Sequence, residues 1–134
     1  MKRAAAFVLL AVLIGACEWL TGDFRLSGTV DIDPALEARV PKTNSVLFII
    51  AQSAGGVPVA VHRIVNPEFP ASFSMSPQDL LVPGIRRHEP LTVIVQLNAH
   101  GNVGTPKPGD IEGRGKGTVH PGDRGVRAKL EKVR

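Results

Sequence analysis

Apolar and polar residues alternate with a period of two along most of this chain. Between residues 24 and 32, Phe24, Leu26, Val30 and Ile32 fall on one face and Arg25, Ser27, Thr29 and Asp31 on the other, which predicts a half-buried strand. Phe69, Ala71, Phe73 and Met75 alternate with Ser72, Ser74 and Ser76, and Pro70 within that run places the strand at a sheet edge. Leu91, Val93, Val95 and Leu97 oppose Thr92, Ile94 and Gln96. Near the C-terminus, Val126, Ala128 and Leu130 oppose Arg127, Lys129 and Glu131. Val46-Leu47-Phe48-Ile49-Ile50 does not alternate. A short, β-branched apolar run of this kind predicts a central strand buried on both faces. Ala54-Gly55-Gly56 then turns the chain into a returning strand, Pro58 to Val65, with Val59, Val61 and Arg63 expected on one face.

Helical signals are brief. Asp33-Pro34 supplies a cap and a first helical residue for one or two turns over Ala35 to Val40, and Pro41 ends them. Pro77 to Leu81 reads as a turn or a short helix. Residues 99–125 hold eight of the fourteen glycines and three prolines, so a long loop is expected there, with Ile111 as its anchor in the core. Six or seven short strands with little helix predict a β-sandwich. The first and last segments are strands of similar length that can pair with one another, as the terminal strands of immunoglobulin-like sandwiches do.

The N-terminus follows another logic. Lys2-Arg3 precedes an apolar run, Ala4 to Ala16, that is too short to span a bilayer and has the layout of a secretory signal peptide. Ile14-Gly15-Ala16-Cys17 resembles a bacterial lipobox, which implies that Cys17, the only cysteine, is acylated and begins the mature chain. The expected organisation is a signal peptide over residues 1–16, a lipid-anchored tether over 17–23 and one β-sandwich domain over 24–134. In the tether, Trp19 and Leu20 either sit at headgroup level or pack on the domain. Glu18 is not the Asp associated with inner-membrane retention in enteric bacteria, so the outer membrane is slightly favoured.

Charge is distributed unevenly. Residues 17–100 carry a formal charge of −2 and residues 101–134 carry +4. The mature sum is too small to point to nucleic acid, and export argues further against such a partner. The basic residues most available to a protein partner are Arg86 and Arg87, in a loop before a buried strand, and Lys107, Arg114 and Lys116, in the glycine-rich segment. On a flexible loop these last three are expected to steer an encounter at long range rather than to form rigid contacts.

No coherent catalytic constellation emerges. Asp31, Asp33, Glu37 and Asp110 have no acid–base spacing. His62, His88, His100, His120 and Met75 are scattered, and a blue-copper site would need a free cysteine. Gly113-Arg114-Gly115-Lys116-Gly117-Thr118 fails the phosphate-loop pattern and leaves only a loose nest of backbone N–H groups as an anion-binding reading. No catalytic residue, metal ligand or cofactor is assigned. Asp110, after Gly109, is expected to accept local backbone N–H bonds and pin its loop.

Residues 91–113 carry a resemblance. A core strand runs into Gly101, then Pro106 or Pro108, then Gly109-Asp110-Ile111-Glu112-Gly113. This resembles the C-terminal periplasmic domain of cytochrome c biogenesis factors of the CycH (CcmI) type. Leu26-Ser27-Gly28-Thr29-Val30, Pro34-Ala35-Leu36 with Val40-Pro41, Val46 to Ala51, and Pro58-Val59-Ala60-Val61 match it as well. The resemblance covers about residues 26–134. It implies an immunoglobulin-like sandwich without a catalytic site, in a family whose complete members chaperone apocytochrome c. Such members carry membrane helices and tetratricopeptide repeats ahead of this domain, and neither is recognisable here. The expectation is therefore a lipid-anchored periplasmic protein-interaction module in cytochrome c maturation, with apocytochrome c or other maturation components as partner. The alternatives are an envelope lipoprotein with another protein partner, and a metal carrier.

Overall fold

The apolar run that opens the second strand sets the centre of the molecule. In the computed structural model, which describes residues 24–103 and 106–134, β2 (Val46–Ser53) lies between β3 (Pro58–Val65) and β5 (Leu91–Asn98), antiparallel to both. Leu47, Ile49 and Ala51 point into the main core, and Phe48 and Ile50 are buried on the opposite face. A strand with neighbours on both sides and cover on both faces has no polar position to spare, hence the unbroken apolar run. The signal peptide, Cys17 and the tether lie outside the described residues.

Around this centre the hydrogen-bonded order is β3-β2-β5-β6-β7-β1-β4, with β1 at Leu26–Ile32, β4 at Ala71–Met75, β6 at Ile111–Gly115 and β7 at Val126–Val133. The two layers of the sandwich thus remain joined through β6. One core fills the space between them, drawing Leu26 and Val30 from β1, Phe73 and Met75 from β4, Val93 and Val95 from β5, Ile111 from β6 and Leu130 from β7. The first and last strands do pair, and in parallel: Thr29 lies beside Arg127 and Asp31 beside Lys129. β4 is an edge strand, with Pro70 just before it. Pro34–Arg39 and Pro77–Asp79 form 3-10 turns, the first capped by Asp33, whose Oδ1 accepts the Ala35 N–H at 3.0 Å. Seven strands with almost no helix make this the β-sandwich that the alternation predicted, of the immunoglobulin-like kind that the resemblance implied.

Two expectations need correction. Val59 does not share a face with Val61 and Arg63. The ladder slips where Ala51 pairs with Ala60 but Gln52 with Pro58, and this bulge turns Val59 into the core while Val61 and Arg63 stay on the outer face. The larger correction is β6. The glycine-rich segment contains a strand that pairs with β5 on one side and β7 on the other. Its glycines mark a close backbone approach: a Cβ on Gly113 would collide with the Lys129 carbonyl, and one on Gly115 would sit 3.0 Å from Val93 Cβ. Arg114 therefore stands on a strand inside the sheet. The Lys116 N–H, just past it, donates to the Arg127 carbonyl at 2.9 Å. Neither is on a flexible loop. Of the residues read as a loose anion nest, 113–115 are extended and ladder-bonded, and the chain bends only after Gly115, with Gly117 at φ 64°.

Candidate basic docking face

Basic residues cluster on the outer face of β6 and β7, between Glu112 on one strand and Glu131 on the other. Arg114 lies directly opposite Lys129 in the antiparallel ladder, and Lys116 stands opposite Arg127 through the backbone bond described above. The four exposed side chains form a two-by-two grid. Neighbours are about 5 Å apart across the strands and about 7 Å apart along them, from strand geometry. They line an open concavity of ≈ 420 Å³, with Asp31 and Glu131 also on its wall. Glu131 follows Arg127 and Lys129 in the outward phase of β7 and sits at a bulge, since Gly113 pairs with Leu130 and Glu112 with Lys132.

None of the four cations makes an ion pair with a described residue. Like charges directly opposite each other on neighbouring strands oppose sheet formation; Lys129 has Asp31 beside it on β1, whereas the Lys116–Arg127 pair has no carboxylate next to it in the ladder. The face can hold anionic groups, and the sheet beneath it fixes the positions from which they are held.

The five basic residues expected to meet a partner separate in space. Arg114 and Lys116 come together. Arg86 and Arg87 are exposed in the loop before β5, and Lys107 is exposed beyond the other end of that strand. Eight residues of β5 span roughly 23 Å, so Arg86, Arg87 and Lys107 do not belong to one compact contact. Sequence reasoning missed Arg127 and Lys129 as partners of Arg114 and Lys116. Their outward phase was legible, but not their pairing with β6, because β6 was not recognised as a strand.

The loop from β5 to β6 is held by a polar network around Asp110, which is 7% exposed. Asp110 Oδ2 accepts the Lys107 N–H at 2.8 Å, as expected, and lies 2.8 Å from His100 Nε2. The Asn102 N–H donates to His100 Nδ1 at 3.2 Å, which leaves Nε2 as the donor to Asp110. Asn98, also buried, accepts the Gly101 N–H and donates to the Asn102 carbonyl. The Arg134 N–H donates to the Asp110 carbonyl at 2.9 Å, tying in the C-terminus. His100 was the member of this network that sequence reasoning left among scattered histidines. His62 pairs similarly with Asp79, at 3.1 Å. Among the described residues, no three His, Cys, Asp or Glu side chains lie close enough together to hold a metal ion, and no helix is long and apolar enough to cross a membrane.

A joined-layer immunoglobulin-like sandwich, with a pinned Gly-Asp-Ile loop and a cationic strand face, defines the class of this protein as a small immunoglobulin-like β domain. The family model for the cytochrome c-type biogenesis protein H Ig-like domain matches residues 26–130, and the chain belongs to that family. This membership ties it to cytochrome c biogenesis. It is also 27% identical over 143 residues to an uncharacterized protein of Aquifex aeolicus (strain VF5), an alignment covering 95% of this chain and 93% of the relative. No solved structure matches it.

Proposed function

We propose that this chain is a membrane-anchored, non-catalytic protein-interaction module of cytochrome c maturation, facing the periplasm. The observation that carries the reading is the family match over nearly the whole described domain. The cation grid, whose side chains make no ion pair, supports it by supplying a surface suited to a partner. In this reading residues 1–16 are removed, Cys17 carries the lipid and residues 17–23 tether the domain. A single acyl chain holds a protein only marginally, and about 0.8 kcal/mol per buried CH₂ makes several chains on one cysteine a firm anchor. The partner is apocytochrome c or another maturation component.

Membrane fractionation and partner capture together test this reading. The wild-type chain should sediment with membranes, and Cys17→Ser should be released or left unprocessed. The wild-type chain in mild detergent should capture a cytochrome c maturation component from envelope extracts. Normal processing and sedimentation of Cys17→Ser would remove the lipid anchor from the account. Capture of only unrelated envelope proteins would favour the domain's reuse for another task.

A further inference from the structure

We infer that the outer face of β6 and β7 docks an extended acidic segment of a protein partner, one that presents carboxylates at alternate positions. This deepens the interaction-module reading and rests on it, naming the surface and the chemistry of what binds there.

Three observations lead to this occupant. First, the cations are arrayed as strands array side chains. Arg114 on β6 and Lys116 just past its end are two residues apart, Arg127 and Lys129 are two apart on β7, and each stands across from one of the other pair. An extended peptide also repeats its side chains every second residue, about 7 Å apart. Acidic residues at alternate positions therefore meet the grid in register. Second, the grid stands on a fixed backbone and its cations are not ion-paired. Its backbone is fixed by ladders on both sides of β6, and none of the four side chains spends its charge on a described carboxylate. A polyanionic segment relieves two like-charge juxtapositions at once, which gives the face a reason to favour that ligand over a neutral one. Third, the concavity is not uniformly positive. Asp31 is beside Lys129 in the parallel ladder, and Glu131 is two residues beyond it. Both carboxylates thus gather at the Lys129 end. They would be pressed against any flat anionic headgroup layer laid on this face, whereas a peptide whose acidic run stops at that end avoids them. The polarity therefore favours a segment of protein over a membrane surface.

The test uses the full chain in nonionic detergent and two synthetic peptides of equal composition, one with glutamate alternating with threonine and one with the glutamates in a block. The wild-type protein should bind the alternating peptide, more tightly than the block peptide. Affinity should fall as salt shortens the Debye length to about 8 Å near physiological ionic strength. Arg114→Gln, Lys116→Gln, Arg127→Gln and Lys129→Gln together should weaken binding by about tenfold or more, each exposed pair contributing roughly 1.4- to 5-fold. These side chains point into solvent, so urea melts of the quadruple variant should stay near wild type. Asp31→Asn with Glu131→Gln should tighten binding. The inference is overturned if the alternating peptide does not bind, if it binds no better than the block peptide, or if the quadruple variant binds it as well as wild type. It is also overturned if phosphatidylglycerol mixed into the micelles displaces the peptide, since headgroups are then the occupant. Failure here with successful capture of a maturation component leaves the function standing and moves the docking surface elsewhere. Failure of the capture with success here leaves the face and changes the partner.

Discussion

Gly113 has no room for a side chain, because the Lys129 carbonyl occupies the place where its Cβ would stand. The same is true of Gly28 against the Val126 carbonyl. Gly55, in the β2–β3 turn, has no atom within 4 Å of a built Cβ. Composition treats the three alike, and only the approach of a second strand separates them. Gly113→Ala is expected to cost at least about 2 kcal/mol, since forced backbone shifts in packed regions cost roughly 1–3 kcal/mol or more. Gly55→Ala should stay within about 0.5 kcal/mol of wild type, as exposed substitutions usually do. Urea melts of the two variants give the comparison, and equal losses would mean that β6 does not run tightly against β7. Asp110 shows the other side of legibility. Its role as a local acceptor follows from its place after Gly109, and the structure adds His100, ten residues away in sequence, as a second partner. A single-residue turn rule has no access to that distance.

At the scale of elements, strands that alternate were legible and the strand that does not was missed. β1, β4, β5 and β7 each bury one face only, so each carries the period of two in plain form. β2 was legible for the opposite reason, being covered on both sides. β6 reads Ile111-Glu112-Gly113-Arg114-Gly115, with one inward apolar residue and glycines where neighbouring strands come too close for side chains. Its hydrophobic signal is nearly absent, because backbone contact replaces side-chain packing. Hydrogen exchange distinguishes a strand from a loop directly. The β6 amides should be protected to a degree comparable with β5, whereas the exposed loop over residues 84–90 should exchange fast. Rapid exchange throughout residues 111–115 would return Arg114 and Lys116 to a mobile loop and dissolve the cation grid.

The whole molecule combines a domain whose fold follows from its strand pattern with a proposed docking surface that does not. Alternation gave the sandwich and the Gly-Asp-Ile stretch gave the family, because both are written in consecutive residues. The cation grid is assembled from residue 114 on β6, residue 116 just past it, and residues 127 and 129 on β7, and became visible only when β6 joined β7. The sheet gathers part of the charge excess of the C-terminal quarter onto one face. The central claim is that this face serves cytochrome c maturation. Haem-stained c-type cytochromes in envelope fractions of cells lacking the gene, complemented by either wild type or the Arg114, Lys116, Arg127, Lys129 to Gln variant at matched protein levels, test it most directly. The account predicts that loss of the gene lowers covalently haem-bearing cytochromes, that wild type restores them, and that the variant does not. Unchanged haem staining without the gene, or full restoration by the variant, would contradict it.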